Sequence, residues 1–505
     1  MAIDMAERRV SWRWLALVIA AVAVASAGPV ASKPLGPPPP GWAGWELHPG
    51  VHHLLTERPG LVAHAARIAT GAPVALRPVV AFDRVGGGHA SYDGRQPVSE
   101  LCRRAGGIVC VNADFFNCRS CGQPAGGVVD RGRPLRSFRP DHEQASIIGG
   151  RATFDPLGWV GTLRGAVGRD TFSLDLGSLN RGPLPGGAVV YTPDWGPTTP
   201  QVAGQVELVL ATGGPHVAGV THAVPVAIRP NAGPIPRDGV VIAANGRAAE
   251  RLNWLWQAWH RSKGREQRLT LSTALTAPAD LSVGGHPIVL RDGVRQHLDP
   301  NDGMVMGRHP RTLLGWTAAG DLLLVTIDGR QPGYSNGATL AEAVDLMASL
   351  GATNAINLDG GGSTTFAVGC TTGACVANRP SDGHERPVPL ALAVVPLASG
   401  SMLKAASAEP AVATPPPAPV TTTVAPAPTT TTTVAAPVQA HVAHPTLAAL
   451  DAPDARPRTP RITTTPDDTT TSLPTPIVAV AFASIAAWFL AAGARFRTGR
   501  SSRRR

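Results

Sequence analysis

Residues Leu322 to Ile327 form an apolar run that stops at Asp328-Gly329, a turn dipeptide. Beyond it, Leu340, Ala343, Val344, Met347 and Leu350 recur at the spacing of one helical face, and Ala355 to Leu358 is a second short apolar run. The pattern predicts strand, helix, strand. Thr339 with Glu342 three residues later has the form of a capping box, and Gly351 supplies the stop. Two strands joined through one crossover helix can pair in parallel, with a right-handed connection. Their C-terminal ends then share an edge, which sets Asp328 and Asp359 on one rim beside Gly360, Gly361 and Gly362. Earlier in the chain, Gly107 to Val111 reads as a strand ending at Asn112. Ala248 to Arg261 reads as a packing helix with Leu252, Leu255, Trp256 and Trp259 on one side. Short apolar runs punctuated by Gly and Pro predict many further strands, so the expected class is α+β, mixed β-sheets with flanking helices.

The ends of the 505-residue chain change composition. Arg8, Arg9 and Arg13 precede an apolar stretch from Trp14 to Val24, and Ala25-Ser26-Ala27 has the form of a signal-peptidase site, so residues 1–27 are expected to be a signal peptide. Residues 28–40 are a proline-rich linker and 399–476 a Pro/Thr/Ala-rich stalk, too poor in large apolar groups to offset the entropy of ordering. Ile477 to Ala494 carries no charge and would be about 27 Å long as a helix, close to the thickness of a bilayer's hydrocarbon core. Six arginines follow it, a cluster that belongs on the cytoplasmic side. The expectation is a single-pass protein of the cell membrane whose globular part, residues 41–398, lies outside.

Charge adds little to this. The formal net charge is +10, but the C-terminal tail supplies six of those charges, and no nucleic-acid-binding motif accompanies them. The partners expected are the membrane and an extracellular substrate, not nucleic acid. Six cysteines in an exported chain favour disulfides, Cys370 with Cys375 being the simplest pair. Cys102, Cys110, Cys118 and Cys121 allow three pairings, with an irregularly spaced zinc site as the alternative.

Asp-Gly is an ordinary turn former, so either rim aspartate alone carries little weight. Three glycines between an acid and Ser363-Thr364-Thr365 say more, because they suit a backbone that must approach a ligand closely or offer N–H groups to an anion. NLDGGGSTT (357–365), DGR (328–330), HPRTLLG (309–315), VNADFFN (111–117) and NRPSDGHERPV (378–388) occur together and in that family's order in the phosphodiester glycosidases, which the chain resembles over roughly residues 41–398. Asn180-Arg181 and Arg386 also match family positions. Ala113-Asp114 departs from the pattern, which often carries glycine there.

The resemblance implies a hydrolase acting on sugars joined through phosphodiesters. Binding such a monoanion calls for cationic forks and N–H groups, for which Arg308, Arg311, Arg330, Gly360, Gly361, Gly362 and Ser363 are candidates, with the Asn112 amide placed to reach sugar hydroxyls. Asp328 and Asp359 are the expected catalytic carboxylates, as base or nucleophile. Their oxygens and that of Asn357 are donors that calcium or magnesium accepts, so a divalent cation is an open option. Ser363 has no GxSxG elbow around it and is not a serine nucleophile. Two other readings are a noncatalytic receptor for phosphorylated polysaccharide and a metal-assisted phosphodiesterase that cuts the P–O bond.

Overall fold

The computed structural model describes residues 35–397 except 90–92, 117–121, 183–185, 217, 263–266 and 372. The expected signal peptide, stalk, membrane helix and basic tail lie outside the described residues, as do Cys118 and Cys121. No described helix is long and apolar enough to cross a membrane.

The described chain is mostly β-sheet with few helices. We label the strands that carry the site β1 (Leu61–Ile68), β2 (Val109–Asn112), β3 (Arg311–Thr317), β4 (Leu322–Ile327), β5 (Ala352–Asn357), β6 (Phe366–Cys370) and β7 (Leu390–Pro396). The helices are α1 (Val98–Ala105), α2 (Gly246–Arg261) and α3 (Leu340–Ser349). An eight-stranded sheet runs in the order Ala43–His48, Val51–Arg58, β1, β4, β3, β5, Ile288–Arg291, Val294–Arg295, every neighbour antiparallel. Strands β4 and β5 therefore run in the same direction without touching, because β3 lies between them. The expected parallel pairing is corrected: the short β3–β4 hairpin already occupies that side of β4, so the α3 crossover steps over β3. The shared rim survives, and the start of β3, Arg311, arrives on it as well.

Burial explains the unbroken apolar pattern. Leu313, Leu323, Val325 and Ile327 face α3, whereas Leu314, Trp316, Leu324 and Ile356 face the main core, so these strands are covered on both sides. Helix α3 buries Leu340, Ala343, Val344 and Met347; both capping-box bonds of Thr339 and Glu342 are present, and Gly351 sits at φ +86°. A second sheet, Gly373–Val376, β6, β2, β7, Val74–Val80, brings the end of β2 to the same rim. Sheets are antiparallel almost throughout rather than mixed; the exception is the short parallel pair of Ser178–Leu179 with Ala188–Tyr191. Residues Trp159–Leu275 build two more sheets around their own core, where α2 buries Leu252 and Leu255.

Disulfides join Cys370 to Cys375, as expected, and Cys102 to Cys110, with Cα atoms 5.9 and 5.7 Å apart. That second bond removes two of the four thiolates the zinc alternative requires.

Candidate active site

A cavity of about 370 Å³ opens on the rim, walled by Phe115, Met304, His309, Pro310, Arg311, Arg330, Asn357, Leu358, Asp359, Gly360, Gly361 and Arg386. It takes Asp359 from the end of β5, Arg311 from the start of β3, Arg330 from the turn after β4 and Phe115 from the turn after β2. A larger cleft, about 1190 Å³, lies at the other edge of the same sheet around Thr317, Leu322 and Thr353, floored by the core residues Trp316 and Phe154. That cleft has charged residues of its own, Arg151, Asp155, Asp280, Arg291 and Asp292, but the rim cavity is the one that gathers residues expected from the sequence motifs.

Asp359 is the acid of this cavity. Its backbone N–H donates to Ala113 O at 2.9 Å, and Gly360 N–H donates to its own Oδ1 at 3.0 Å. Burial pushes its carboxyl pKa up to about 6, against the stabilising influence of Ser363, Gly360 and Arg386 and with the help of the Asp114 charge. The Ser363 hydroxyl lies beside the carboxylate, yet its Oγ is buried without a well-directed hydrogen bond.

Three arginines line the cavity with Asp359, and Arg386 is the one whose charge acts on its carboxyl. Arg311 is buried, with Nε donating to Ala338 O at 2.9 Å and Nη2 to Met304 O at 2.5 Å and Gly307 O at 2.8 Å. Burial, with Arg330 adding repulsion, pulls its pKa down to about 10, which leaves it cationic at neutral pH. Arg386 is pinned by Asp382, Nε to Oδ2 at 2.9 Å. Arg330 has no carboxylate partner among the described residues; its Nη2 reaches His309 Nδ1 at 3.3 Å. His309 Nε2 faces Gly303 O at 3.3 Å, so the partners assign the proton to Nε2 and leave Nδ1 to accept from Arg330. Burial, with Arg311 and Arg330 adding repulsion, lowers the His309 pKa, which keeps the ring neutral in that role. Arg330 itself is a non-glycine residue at φ +60°, a strained backbone of the kind that collects at functional sites.

The glycine run serves these arginines more than it serves an anion. Gly360 N–H and Gly361 N–H are spent, on Asp359 Oδ1 and on Pro310 O. A Cβ at position 361 would lie 3.1 Å from Arg330 Nη1, and one at 362 would lie 2.1 Å from Arg386 Nη2. A Cβ at 360 would lie 2.7 Å from Pro310 O and Gly361 sits at φ +61°, so the backbone as well as the two guanidinium groups requires glycine here.

Of the residues expected from sequence, Asp359, Arg311, Arg330, Gly360 and Gly361 meet in the cavity. Five do not line it. Asp328 is buried, its carboxylate accepting from Tyr334 Oη at 2.9 Å, Asn378 Nδ2 at 2.7 Å and Arg379 N at 3.0 Å. Burial raises its pKa against those donors, and its place is that of a clasp between two loops. Asn112 is fully buried: Nδ2 donates to Asp359 O at 2.6 Å, and Oδ1 accepts from Thr312 Oγ1 and Thr365 N. It fixes Asp359 and lies out of a sugar's reach. Arg308 turns outward to Gly337 O and Glu342. Gly362 and Ser363 sit behind the wall. His309 and Arg386 were within reach of sequence reasoning, since both belong to motifs singled out above, but nothing in their spacing showed that they face Asp359. Asn357 joins the wall with Nδ2 donating to His286 O at 2.8 Å and Oδ1 buried without a partner.

A divalent cation does not fit these residues. Asp328 has spent its carboxylate elsewhere, and Asp359 stands among cations that would repel a metal ion. The donor set suits an anion with one protonatable neighbour.

Residues 208–395 match the family profile of the phosphodiester glycosidases. The matched stretch is similar to that family. It carries Arg311, Arg330, Asp359 and Arg386, while β2 and Phe115 precede it. An 81-residue stretch, 16% of the chain, is 42% identical to the SPbeta prophage-derived uncharacterized protein YomE of Bacillus subtilis and spans 12% of that protein. A crystal structure of a hypothetical protein from Synechocystis shares the fold over 71% of this chain and 64% of its own, with 22% identity and a TM-score of 0.53. The zebrafish N-acetylglucosamine-1-phosphodiester alpha-N-acetylglucosaminidase catalytic domain aligns over 70% of this chain and 81% of its own at 15% identity and a TM-score of 0.35.

Proposed function

We propose that the chain is an exported, membrane-anchored hydrolase that cleaves sugar-1-phosphodiester linkages in cell-envelope or extracellular glycans. One observation carries this reading: the acid lining the cavity, Asp359, has a pKa near 6 and stands among Arg311, Arg330 and Arg386. The phosphodiester supplies one negative charge. Arg330, with no carboxylate of its own and aimed by neutral His309, meets that charge, and Arg386 and Arg311 add to the field.

Cleavage breaks the bond between the anomeric carbon and the bridging oxygen. The electron pair leaves with the phosphate, where the guanidinium groups offset the growing charge, so strong acid assistance is unnecessary. Ionised Asp359 accepts a proton from a water molecule as that water attacks the anomeric carbon. The products are the free sugar and a phosphate monoester. Phe115 and Met304 cover the apolar side of the cavity.

Hydrolysis of a panel of sugar-1-phosphodiesters in oxygen-18 water tests this. The label enters the sugar if the reading is right; label in the phosphate means P–O cleavage, and binding without turnover on every substrate means a receptor. Arg330→Ala is expected to lower kcat/KM about 100-fold, the loss of one charge-assisted contact, with little change in melting temperature. An unchanged kcat/KM would remove Arg330 from phosphate binding.

A further inference from the structure

The larger cleft, about 1190 Å³, stands at the opposite ends of the strands that carry the rim. Trp316 and Thr317 close β3, which begins at Arg311, and Leu322 opens β4, which leads to Asp328. Thr353 lies near the start of β5, and the extended chain from there to Asp359 spans about 20 Å.

Two-residue hairpin turns shape the mouth. Gly149-Gly150 joins Glu143–Ile148 to Arg151–Thr153, and Asp292-Gly293 joins Ile288–Arg291 to Val294–Arg295. All four turn residues have positive φ, as the tightest hairpins require. The Asp292 N–H donates to Asn354 Oδ1 at 3.1 Å, which seats the second turn against β5. Arg151 and Arg291 thereby reach the cleft from two different sheets.

Three properties of the lining select a ligand. The floor is aromatic: the Phe154 and Trp316 ring centroids are 4.5 Å apart, and the Arg291 guanidinium lies 5.2 Å over the Phe154 ring. The mouth carries charge of both signs, since Arg151, Asp155, Asp280, Arg291 and Asp292 are all exposed, and none has an ion-pair partner among the described residues. The volume exceeds the about 300–1,000 Å³ of a pocket for one small molecule, so there is room for several linked units.

An apolar ligand would strand these charges. Three carboxylates against two guanidinium groups disfavour a phosphate, and among the described residues the carboxylates do not converge as a metal site. A sugar satisfies all three properties. A pyranose ring offers an apolar C–H face to the aromatic floor, and its hydroxyls donate to carboxylates and accept from guanidinium groups at once. We propose that this cleft is a second, noncatalytic glycan site that takes a neutral run of several sugars. Its use in the reaction rests on the hydrolase reading: a polymer held here presents its phosphodiesters to the rim at a raised local concentration.

Binding is tested without turnover, by calorimetric titration of the full chain with phosphate-free hexasaccharides of glucose, galactose, mannose, rhamnose and N-acetylglucosamine. At least one is expected to bind, about 10-fold more weakly to Arg291→Ala and to Asp280→Asn, the loss of one charged hydrogen bond. Affinity in Asp359→Asn and Arg330→Ala is expected to match the native protein. No binding by any hexasaccharide overturns the proposal, as does binding lost in Asp359→Asn and kept in Arg291→Ala. Binding of a peptide of residues 399–410 in place of every sugar also overturns it. Should Arg291→Ala not fold, Asp280→Asn decides alone. In turnover, both variants are expected to raise KM for a phosphodiester-linked polysaccharide about 10-fold relative to KM for a sugar-1-phosphodiester monomer. An unmoved ratio overturns the role in holding substrate. Absence of turnover on every substrate would defeat the hydrolase reading and leave the titration result standing.

Discussion

Replacing Asp359 with asparagine is expected to cut turnover of a sugar-1-phosphodiester by about 10³-fold or more while making the folded chain more stable. Asparagine fills the same space and removes the base. In the native protein the carboxyl is held near pKa 6 against an ordinary value of 3.8. Between those values the folded chain keeps a proton that the unfolded chain has released, so stability falls as pH rises through that window and is level above it. The variant has no charge to desolvate and is expected to gain about 2 kcal/mol above pH 6. Activity has the opposite dependence: kcat/KM of the native protein rises as pH climbs through about 6, the range where the base ionises. Wild-type turnover by Asp359→Asn, or a rate that falls across pH 6, would exclude the role given to this residue.

The second large effect lies at Asp328, and it is one of stability. Asp328→Ala strands the Tyr334 hydroxyl, the Asn378 amide and the Arg379 N–H, which all end on its carboxylate. A loss of about 3 kcal/mol in denaturant unfolding is expected, with the m-value unchanged. Activity falls with it, because the clasp holds the turn that bears Arg330. In Asp328→Asn one oxygen survives, so part of the stability and part of the activity should return. A variant at this position with native stability and no turnover would instead make Asp328 catalytic, as the sequence pattern suggested.

That contrast marks what a linear reading can reach. Leu322–Ile327, the capped helix and its glycine stop are local events written in neighbouring residues, and they occur as the pattern predicts. The following strand begins at Ala352, three residues before the apolar run, because Ala352 and polar Asn354 pair with β3 on either side of a register shift at Thr353. Asp328 and Asp359 look alike on paper, each an acid followed by glycine. What separates them is the loop at Asn378 and Arg379, fifty positions from Asp328, which neutralises one and leaves the other open. Asn112 is held by Thr312 and Thr365, partners from distant strands that no spacing rule connects. The expected substrate-facing glycines are real as glycines, but what approaches them is the Pro310 carbonyl and the guanidinium groups of Arg330 and Arg386.

The insertion of β3 between β4 and β5 has a mechanical result. The cation at the head of β3 and the acid at the foot of β5 are tied by consecutive rungs of a single ladder, Leu313 opposite Asn357. They cannot drift apart by hinge bending or domain breathing; separating them means unzipping strands that are buried along almost their whole length. Heat should therefore silence this centre only when the whole sheet gives way.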